Sequence, residues 1–194
     1  MVGGAFDDLR SVKQVHSARV IEVGDGASES EEADAIVSRN HAAIAIRTAD
    51  CVPILVGDIS SGAVAAIHAG WRGVVSGVVP NAIELLGGDP AKLVAAIGPC
   101  IGACCFEVGP EVEAEFAARM PQVGSGQVFV RKPGRKTRID LRAWQRLELL
   151  AAGLADENID VSADCTRCDP ARRFFSFRAA GRATGQAVGF IAVI

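Results

Sequence analysis

The sequence lacks a long apolar run, an apolar leader and a strong excess of charge, and each absence excludes a class of protein. No part of its 194 residues reaches the roughly 18 consecutive apolar residues of a membrane-spanning helix. Residues 1–12 have neither a basic start nor an apolar core, so we expect no secretion signal and a cytoplasmic protein. A net charge of −3 offers no basic surface for nucleic acid or an anionic membrane.

Histidine is scarce, with three residues, whereas cysteine is more frequent, with six. In a short secreted chain six cysteines would indicate a disulfide framework, but this chain is long and we expect no export signal. We therefore expect reduced thiols or metal ligands. Apolar residues make up 49% of the sequence, which predicts one domain over residues 1–194 with a dense hydrophobic core.

Short runs of small and β-branched apolar residues, separated by turn residues, predict a chain rich in buried strands. The predicted strands cover residues 20–23, 33–37, 42–46, 52–56, 62–67, 93–97, 174–177 and 187–194. Apolar spacing predicts helices over residues 74–86, 110–120 and 141–154. Pro80 should kink the first helix or mark its true start. Residues 121–136 are predicted to form a surface loop or hairpin.

Three residues near predicted strand ends form a candidate metal site: His16, Cys51 and His68. Two imidazoles and one thiolate are a known zinc-binding set. Three protein ligands leave a fourth position open for water or substrate, as in catalytic sites. The residues are far apart in sequence and form no compact ligand motif. It therefore stays open that Cys51 is a small buried apolar residue and that the histidines are ordinary core or surface residues.

Charged residues beside these candidates have two interpretations each. Asp50 could orient a ligand histidine through a hydrogen bond, or it could cap a turn. Arg47 and Arg72 could bind phosphate or carboxylate through their guanidinium groups, or they could form surface ion pairs.

The remaining cysteines form two groups. Cys165 and Cys168 make a CxxC motif, but the sequence contains no second CxxC to complete a four-thiolate site. The motif does not open a helix after a first strand either, so we predict a structural rather than a catalytic role. Cys100, Cys104 and Cys105 are close in sequence and form either a thiolate patch or part of the core.

Several motifs together resemble a known family. In chain order they are Gln14-Val15-His16, Ala33-Asp34-Ala35, Thr48-Ala49-Asp50-Cys51-Val52-Pro53, His68-Ala69-Gly70-Trp71-Arg72-Gly73, Ile97-Gly98-Pro99-Cys100-Ile101, Phe106-Glu107-Val108-Gly109, Asp164-Cys165-Thr166 and Phe174-Phe175-Ser176-Phe177-Arg178. From about residue 14 onward the chain resembles the laccase-domain family, also called multicopper polyphenol oxidases. Members of this family are described as zinc-dependent purine nucleoside phosphorylases with adenosine deaminase activity.

The resemblance implies a fold, a cofactor and a reaction. The fold would be α+β, a single three-layer α/β/α domain around a mixed sheet. The metal ligands would be His16, Cys51 and His68, with zinc as the cofactor and copper as the alternative. The substrates would be phosphate and purine nucleosides: adenosine and inosine, with guanosine and methylthioadenosine as further candidates. The segment before Gln14 is shorter than in the family, and Ser17 stands where the family usually has glycine.

The resemblance also defines roles and alternatives. Arg47 or Arg72 would hold phosphate, while Asp50 and Glu107 are candidates for the general acid or base of deamination. One alternative is a cysteine hydrolase with Cys51 as nucleophile and His68 as base. A copper oxidase of polyphenols would need more histidine ligands than the three present. The last alternative is an inactive metal-binding remnant.

Overall fold

A six-stranded mixed sheet lies at the centre of the structure, a computed structural model that describes residues 9–23, 30–39, 42–120 and 128–192. The strands of the whole fold are β1 (Val20–Glu22), β2 (Ala35–Ser38), β3 (Ile44–Thr48), β4 (Val52–Asp58), β5 (Val64–Ala69), β6 (Leu93–Ile97), β7 (Phe129–Val130), β8 (Arg138–Ile139), β9 (Ile159–Val161) and β10 (Ala187–Ile191). The central sheet has the order β1-β2-β5-β4-β6-β9. Its two outer pairs are parallel and its inner pairs antiparallel.

The central strand β5 is covered on both faces. Its side chains alternate, so that Ala65 and Ile67 join one apolar cluster while Val64 and Ala66 join another. Every residue of β5 is buried. This explains its continuous apolar sequence, because a strand with solvent on one face would alternate with polar residues.

Helices cover one face of this sheet. The five α-helices among the described residues are α1 (Trp71–Ser76), α2 (Val78–Leu86), α3 (Pro110–Ala118), α4 (Leu141–Ala151) and α5 (Phe177–Ala180). Apolar side chains of α1, α2 and α4 share one cluster with β4, β5 and β6. Helix α3 joins this layer through Phe116, whose ring meets Trp144 of α4 edge to face with 4.9 Å between centroids. None of the helices in the described residues is long and apolar enough to cross a membrane.

A two-stranded ribbon, β3 paired antiparallel with β10, covers the other face. Ile44 and Ile46 of β3 and Ile191 of β10 pack there against Ile36 and Val64. The predicted α+β class and mixed sheet are therefore confirmed. The expected α/β/α arrangement would place helices on both faces of the sheet. Among the described residues, the β3–β10 ribbon packs its apolar side chains against the face opposite the helices instead.

Most predicted elements are present with shifted ends, and the largest change is a break in the first helix. Gly77 adopts a left-handed conformation with φ of 85° and separates α1 from α2. Pro80 lies in the first turn of α2, where its missing N–H costs no helical hydrogen bond, so it does mark the true start. Strands β7 and β8 pair as a hairpin that extends beyond the predicted segment of residues 121–136, whereas residues 121–127 lie outside the described residues.

The predicted strand over residues 174–177 is wrong. The side chain of Ser176 accepts a hydrogen bond from the amide of Ala179 and begins the short helix α5 instead. Strand β9 was not predicted, because it contains only three residues and its apolar pattern is too short to be recognised. It pairs in parallel with β6 at the edge of the sheet.

Candidate functional site

The three predicted metal-ligand side chains converge in space. One ligand atom from each of His16, Cys51 and His68 lies within 4.8 Å of the other two. Nε2 of His16 is 3.7 Å from Sγ of Cys51, and the two imidazole rings meet edge to face with centroids 4.9 Å apart. Cys51 precedes β4 and His68 lies in β5, two paired strands, so the sheet register places these two residues side by side.

The backbone is strained where the site is built. His16 and Asp50, the residue before Cys51, have positive φ values of 61° and 84°. Non-glycine residues rarely adopt this conformation, which costs on the order of 1–3 kcal/mol each and is found mostly where surrounding contacts enforce it. The two strained positions lie in the loops that carry His16 and Cys51.

Asp34 supplies the contacts that hold the His16 loop. Its fully buried carboxylate accepts hydrogen bonds from the backbone amides of Val15, His16 and Ser17 and from the hydroxyl of Ser17. The same carboxylate accepts a 2.8 Å hydrogen bond from Nδ1 of His68. Burial would raise the pKa of Asp34, but the bonds from His68 and Ser17 outweigh it and lower the pKa to about 2. Asp34 is therefore charged and leaves Nε2 of His68 to face Cys51.

The electrostatics of the site favour a thiolate at Cys51. Burial would raise the pKa of the Cys51 thiol, but hydrogen bonds from His16 and His68 lower it to about 7. A thiolate is the form of cysteine that binds metals or acts as a nucleophile. The side chain is thus prepared for either role at neutral pH.

The backbone of Gly70 lies close to the side chains of His16 and Cys51, as expected where several segments meet around a metal site. A β-carbon at Gly70 would lie 2.6 Å from Cδ2 of His16 and 3.2 Å from Sγ of Cys51. Glycine is thus required for the strand end to approach the two side chains so closely. Two imidazoles, one thiolate and a carboxylate behind His68 form a donor set that suits zinc.

The site opens into a pocket of about 890 Å³, which is in the range of small-molecule sites. Six of the seven residues that were assigned a role in metal binding, phosphate binding or acid–base catalysis from sequence line this pocket: His16, Arg47, Asp50, Cys51, His68 and Arg72. Five cationic side chains line it in total, with Lys13, Arg178 and Arg182 joining Arg47 and Arg72. The guanidinium of Arg72 stacks on the Trp71 ring at 4.3 Å. The pocket therefore favours an anionic ligand.

Asp50 bonds to neither His16 nor His68, in contrast to one of its two predicted roles. Its carboxylate accepts hydrogen bonds from the hydroxyls of Thr166 and Ser176 and from the amide of Arg178. It is buried and ties two later loops to the loop of Cys51. The carboxylate bonded to His68 belongs to Asp34 instead. Glu107, the other acid candidate, is bound to Arg138 and does not line the pocket.

Several pocket residues were not predicted as functional, although they lie in or near the recognised motifs. They are Lys13, Trp71, Phe106, Phe177, Arg178 and Arg182. Asp34 was noted only as part of a motif. A charged residue between two alanines at the start of a buried strand is itself unusual, since buried carboxylates need partners. That signal could have identified Asp34 from sequence.

The expectation that the CxxC motif has no partner pair is wrong. The thiols of Cys104, Cys105, Cys165 and Cys168, the four-cysteine cluster, lie within 4.8 Å of one another. The partner pair was missed because its cysteines are adjacent rather than in a CxxC. A bridge between the backbones of Cys100 and Cys165 brings the two segments together.

Comparisons with known proteins agree with this geometry. A family model described as "Multi-copper polyphenol oxidoreductase laccase" matches residues 1–194. The chain belongs to that family. A protein named adenosine deaminase RL5, from an unknown prokaryotic organism, is 37% identical over 95% of this chain and 75% of its own length. A purine nucleoside phosphorylase of Deinococcus radiodurans is 35% identical over 95% of this chain and 70% of its own.

A solved structure of a family member supports the fold assignment. The crystal structure of YlmD from Geobacillus stearothermophilus is similar to this chain with a TM-score of 0.87 and 32% identity. The similarity covers 96% of this chain and 73% of that one. This chain thus shares its fold with YlmD, and the relatives carry enzyme names.

Proposed function

We propose that this chain is a zinc-dependent purine nucleoside phosphorylase that also deaminates adenosine. The observation that carries the proposal is the joint lining of one pocket by a His/Cys/His set and by five cationic side chains. In the proposed phosphorolysis, the His/Cys/His set holds the metal ion that polarises the nucleoside, and the cationic side chains bind the phosphate. The names of the similar proteins, an adenosine deaminase and purine nucleoside phosphorylases, supply the substrate class.

The cationic side chains would bind the phosphate. In phosphorolysis a phosphate oxygen attacks the sugar carbon that carries the base, the bond to the base breaks, and ribose 1-phosphate and free base are formed. Arg72 lines the pocket and is stacked on Trp71, which restricts its side chain. A guanidinium donates two parallel hydrogen bonds to a phosphate.

His16, Cys51 and His68 would hold the zinc ion, with Asp34 fixing the orientation of His68. When bound, zinc supplies Lewis-acid chemistry that polarises an oxygen or activates water. The same pocket would then serve deamination, in which water replaces the amino group of adenosine and ammonia leaves. Only phosphorolysis needs the anion.

Aromatic side chains of the pocket would bind the purine. Trp71, Phe106 and Phe177 line the pocket, and Phe177 is 55% exposed. An exposed phenyl ring beside a polar pocket offers a face on which a base can stack, a contact that contributes about 1–3 kcal/mol.

The decisive experiment incubates the zinc-loaded chain with adenosine or inosine, with and without phosphate, and separates the products by chromatography. We expect free base from both nucleosides only when phosphate is present, and inosine from adenosine in either case. Absence of both base and inosine above the metal-free control would overturn the proposal and leave the metal-binding remnant.

Replacing Arg72 with alanine is expected to lower kcat/KM for phosphate by about 10–100-fold, the effect of losing a charge-assisted hydrogen bond. Deamination of adenosine should change by much less, because it uses no anion. Arg131→Ala is the matched control, since Arg131 stacks on Phe129 at 4.4 Å but does not line the pocket. Equal losses in both reactions would contradict a phosphate role for Arg72.

Replacing Phe177 with alanine is expected to raise KM for the nucleoside by about fivefold or more, because a stacked base loses ~1 kcal/mol or more. Phe175→Ala is the control: Phe175 is similarly exposed, at 51%, and does not line the pocket. Steady-state kinetics with inosine at saturating phosphate measures the difference. An unchanged KM in the Phe177 variant would exclude stacking on this ring.

A cysteine hydrolase remains the second candidate. Burial would raise the pKa of Cys51, but its histidine neighbours lower the pKa to about 7. A thiol with this pKa also suits a nucleophile. Chelation separates the two functions. A metal-dependent phosphorylase loses its activity after dialysis against a chelator and recovers it with zinc. A cysteine hydrolase keeps its activity without metal.

A further inference from the structure

We infer that the four-cysteine cluster is a second metal site, a tetrathiolate zinc site separate from the pocket. Its members come from two segments of the chain, with Cys104 and Cys105 in one and Cys165 and Cys168 in the other. Neither the family model nor the names of the relatives refers to such a site.

The geometry of the cluster matches the demands of tetrahedral zinc. Zinc binds thiolates at about 2.3 Å, so the sulfurs of a tetrahedral site lie about 3.8 Å apart. Sγ of Cys104 and Sγ of Cys168 are 3.4 Å apart, and all four sulfurs lie within 4.8 Å of one another. Cys104 and Cys168 are exposed, so packing in the core does not explain why these two thiols converge on Cys105 and Cys165.

Neighbouring groups are arranged to compensate thiolate charge. The backbone amide of Gly102 donates a hydrogen bond to Sγ of Cys165 at 3.2 Å. A β-carbon at Gly102 would meet both the guanidinium of Arg142 and Sγ of Cys104, so this cation lies against the cluster. Arg167 lies beside Cys105, within hydrogen-bonding reach of its thiol. Four thiolates and one zinc ion carry two negative charges, which two arginines can balance.

Cys100 provides an internal contrast. It is fully buried and its Sγ donates to the carbonyl of Ile101 at 3.6 Å, as expected for a cysteine that packs as a small apolar residue. It is not part of the cluster. Closeness in sequence alone therefore does not place a cysteine in the cluster.

The position of the cluster gives the metal a structural role. Both segments continue into the pocket wall: Phe106 follows the first pair, and Arg178 lies beyond the second. Between the paired cysteines of the CxxC, Thr166 donates to the carboxylate of Asp50, the neighbour of Cys51. A zinc ion here would fasten the two segments to each other and to the pocket.

The first test is zinc stoichiometry, measured by elemental analysis of the full chain after dialysis against zinc. We expect about two ions per chain in the wild type and about one in the variant Cys104→Ser/Cys168→Ser. Cys51→Ser should also lose one ion, but from the pocket, and Cys100→Ser, the matched control, should lose none. A wild type with one ion, and no loss in the Cys104→Ser/Cys168→Ser variant, would overturn the inference.

A second measurement on the unmodified chain does not depend on the folding of any variant. Cys104 and Cys168 are exposed, so an alkylating reagent reaches them when they are free thiols. We expect zinc to abolish their labelling, followed peptide by peptide by mass spectrometry, and chelation to restore it. Equal labelling with and without zinc, or a disulfide between these residues in the peptide map, would overturn the inference. Because each site is followed by its own peptides, failure here leaves the proposed function intact.

Discussion

The double variant Cys51→Ser/His68→Ala is expected to lose the zinc ion of the pocket and to reduce turnover of adenosine and inosine to the metal-free background. Only His16 would remain of the three proposed ligands, and one imidazole binds zinc weakly. The loss in metal affinity should exceed the about 10–100-fold that follows removal of a group that merely supports a ligand. Elemental analysis and the chromatographic assay measure the two effects.

The metal count in this variant should fall by one ion per chain relative to the wild type. Cys100→Ser controls for the loss of a thiol elsewhere, because Cys100 lies outside both groups of potential ligands. Unchanged zinc content in the double variant would show that the pocket metal, if any, is held by other residues. Lost metal with full activity would instead separate catalysis from zinc and favour the cysteine hydrolase.

Replacing Asp34 is expected to have the largest effect on stability of any change at the site. Asp34→Ala leaves His68 and the amides of Val15, His16 and Ser17 without their acceptor. Removing one partner of a buried charged network costs about 3–5 kcal/mol of the free energy of unfolding. Urea denaturation of the metal-free chain measures this cost, which should appear as a lower midpoint.

Asp34→Asn tests the same residue through metal binding. The amide keeps the size of the side chain but cannot accept as many hydrogen bonds, and it no longer stabilises the His68 orientation by charge. We expect zinc affinity to fall by about 10–100-fold, measured by competition with a chelator. Asp58→Asn is the control, since Asp58 is also buried but binds Ser60 and Ser61 far from the ligands in the fold. Wild-type affinity in Asp34→Asn would show that Asp34 supports only the loop.

Much of the central sheet could be predicted from the sequence, because local patterns carry it. Strands β4, β5 and β6 are short apolar runs bounded by turn residues. This local pattern can be recognised without knowledge of the strands that pair with them. Helix α4 was predicted for the same reason, with Asp140 capping its first turn. Element ends were less accurate, since caps such as Ser176 and breaks such as Gly77 depend on single residues.

The candidate ligands could also be chosen from the sequence, although not by spacing. His16, Cys51 and His68 were singled out as rare residue types near strand ends, and the family motifs then agreed with them. Their convergence depends on the pairing of β4 with β5 and on the loop held by Asp34. No local pattern encodes those contacts, because they join residues that are distant along the chain.

Local patterns and family motifs were sufficient to predict the fold class, the dense core, the family and the three residues proposed to bind metal. Three further features became visible only in the folded chain: Asp34, rather than Asp50, bonds to His68, five cations line one pocket and four cysteines meet. The difference comes from the range of the interactions. Hydrophobic periodicity and turn chemistry act between neighbouring residues, whereas a site forms where separate segments are brought together by the packing of the whole sheet.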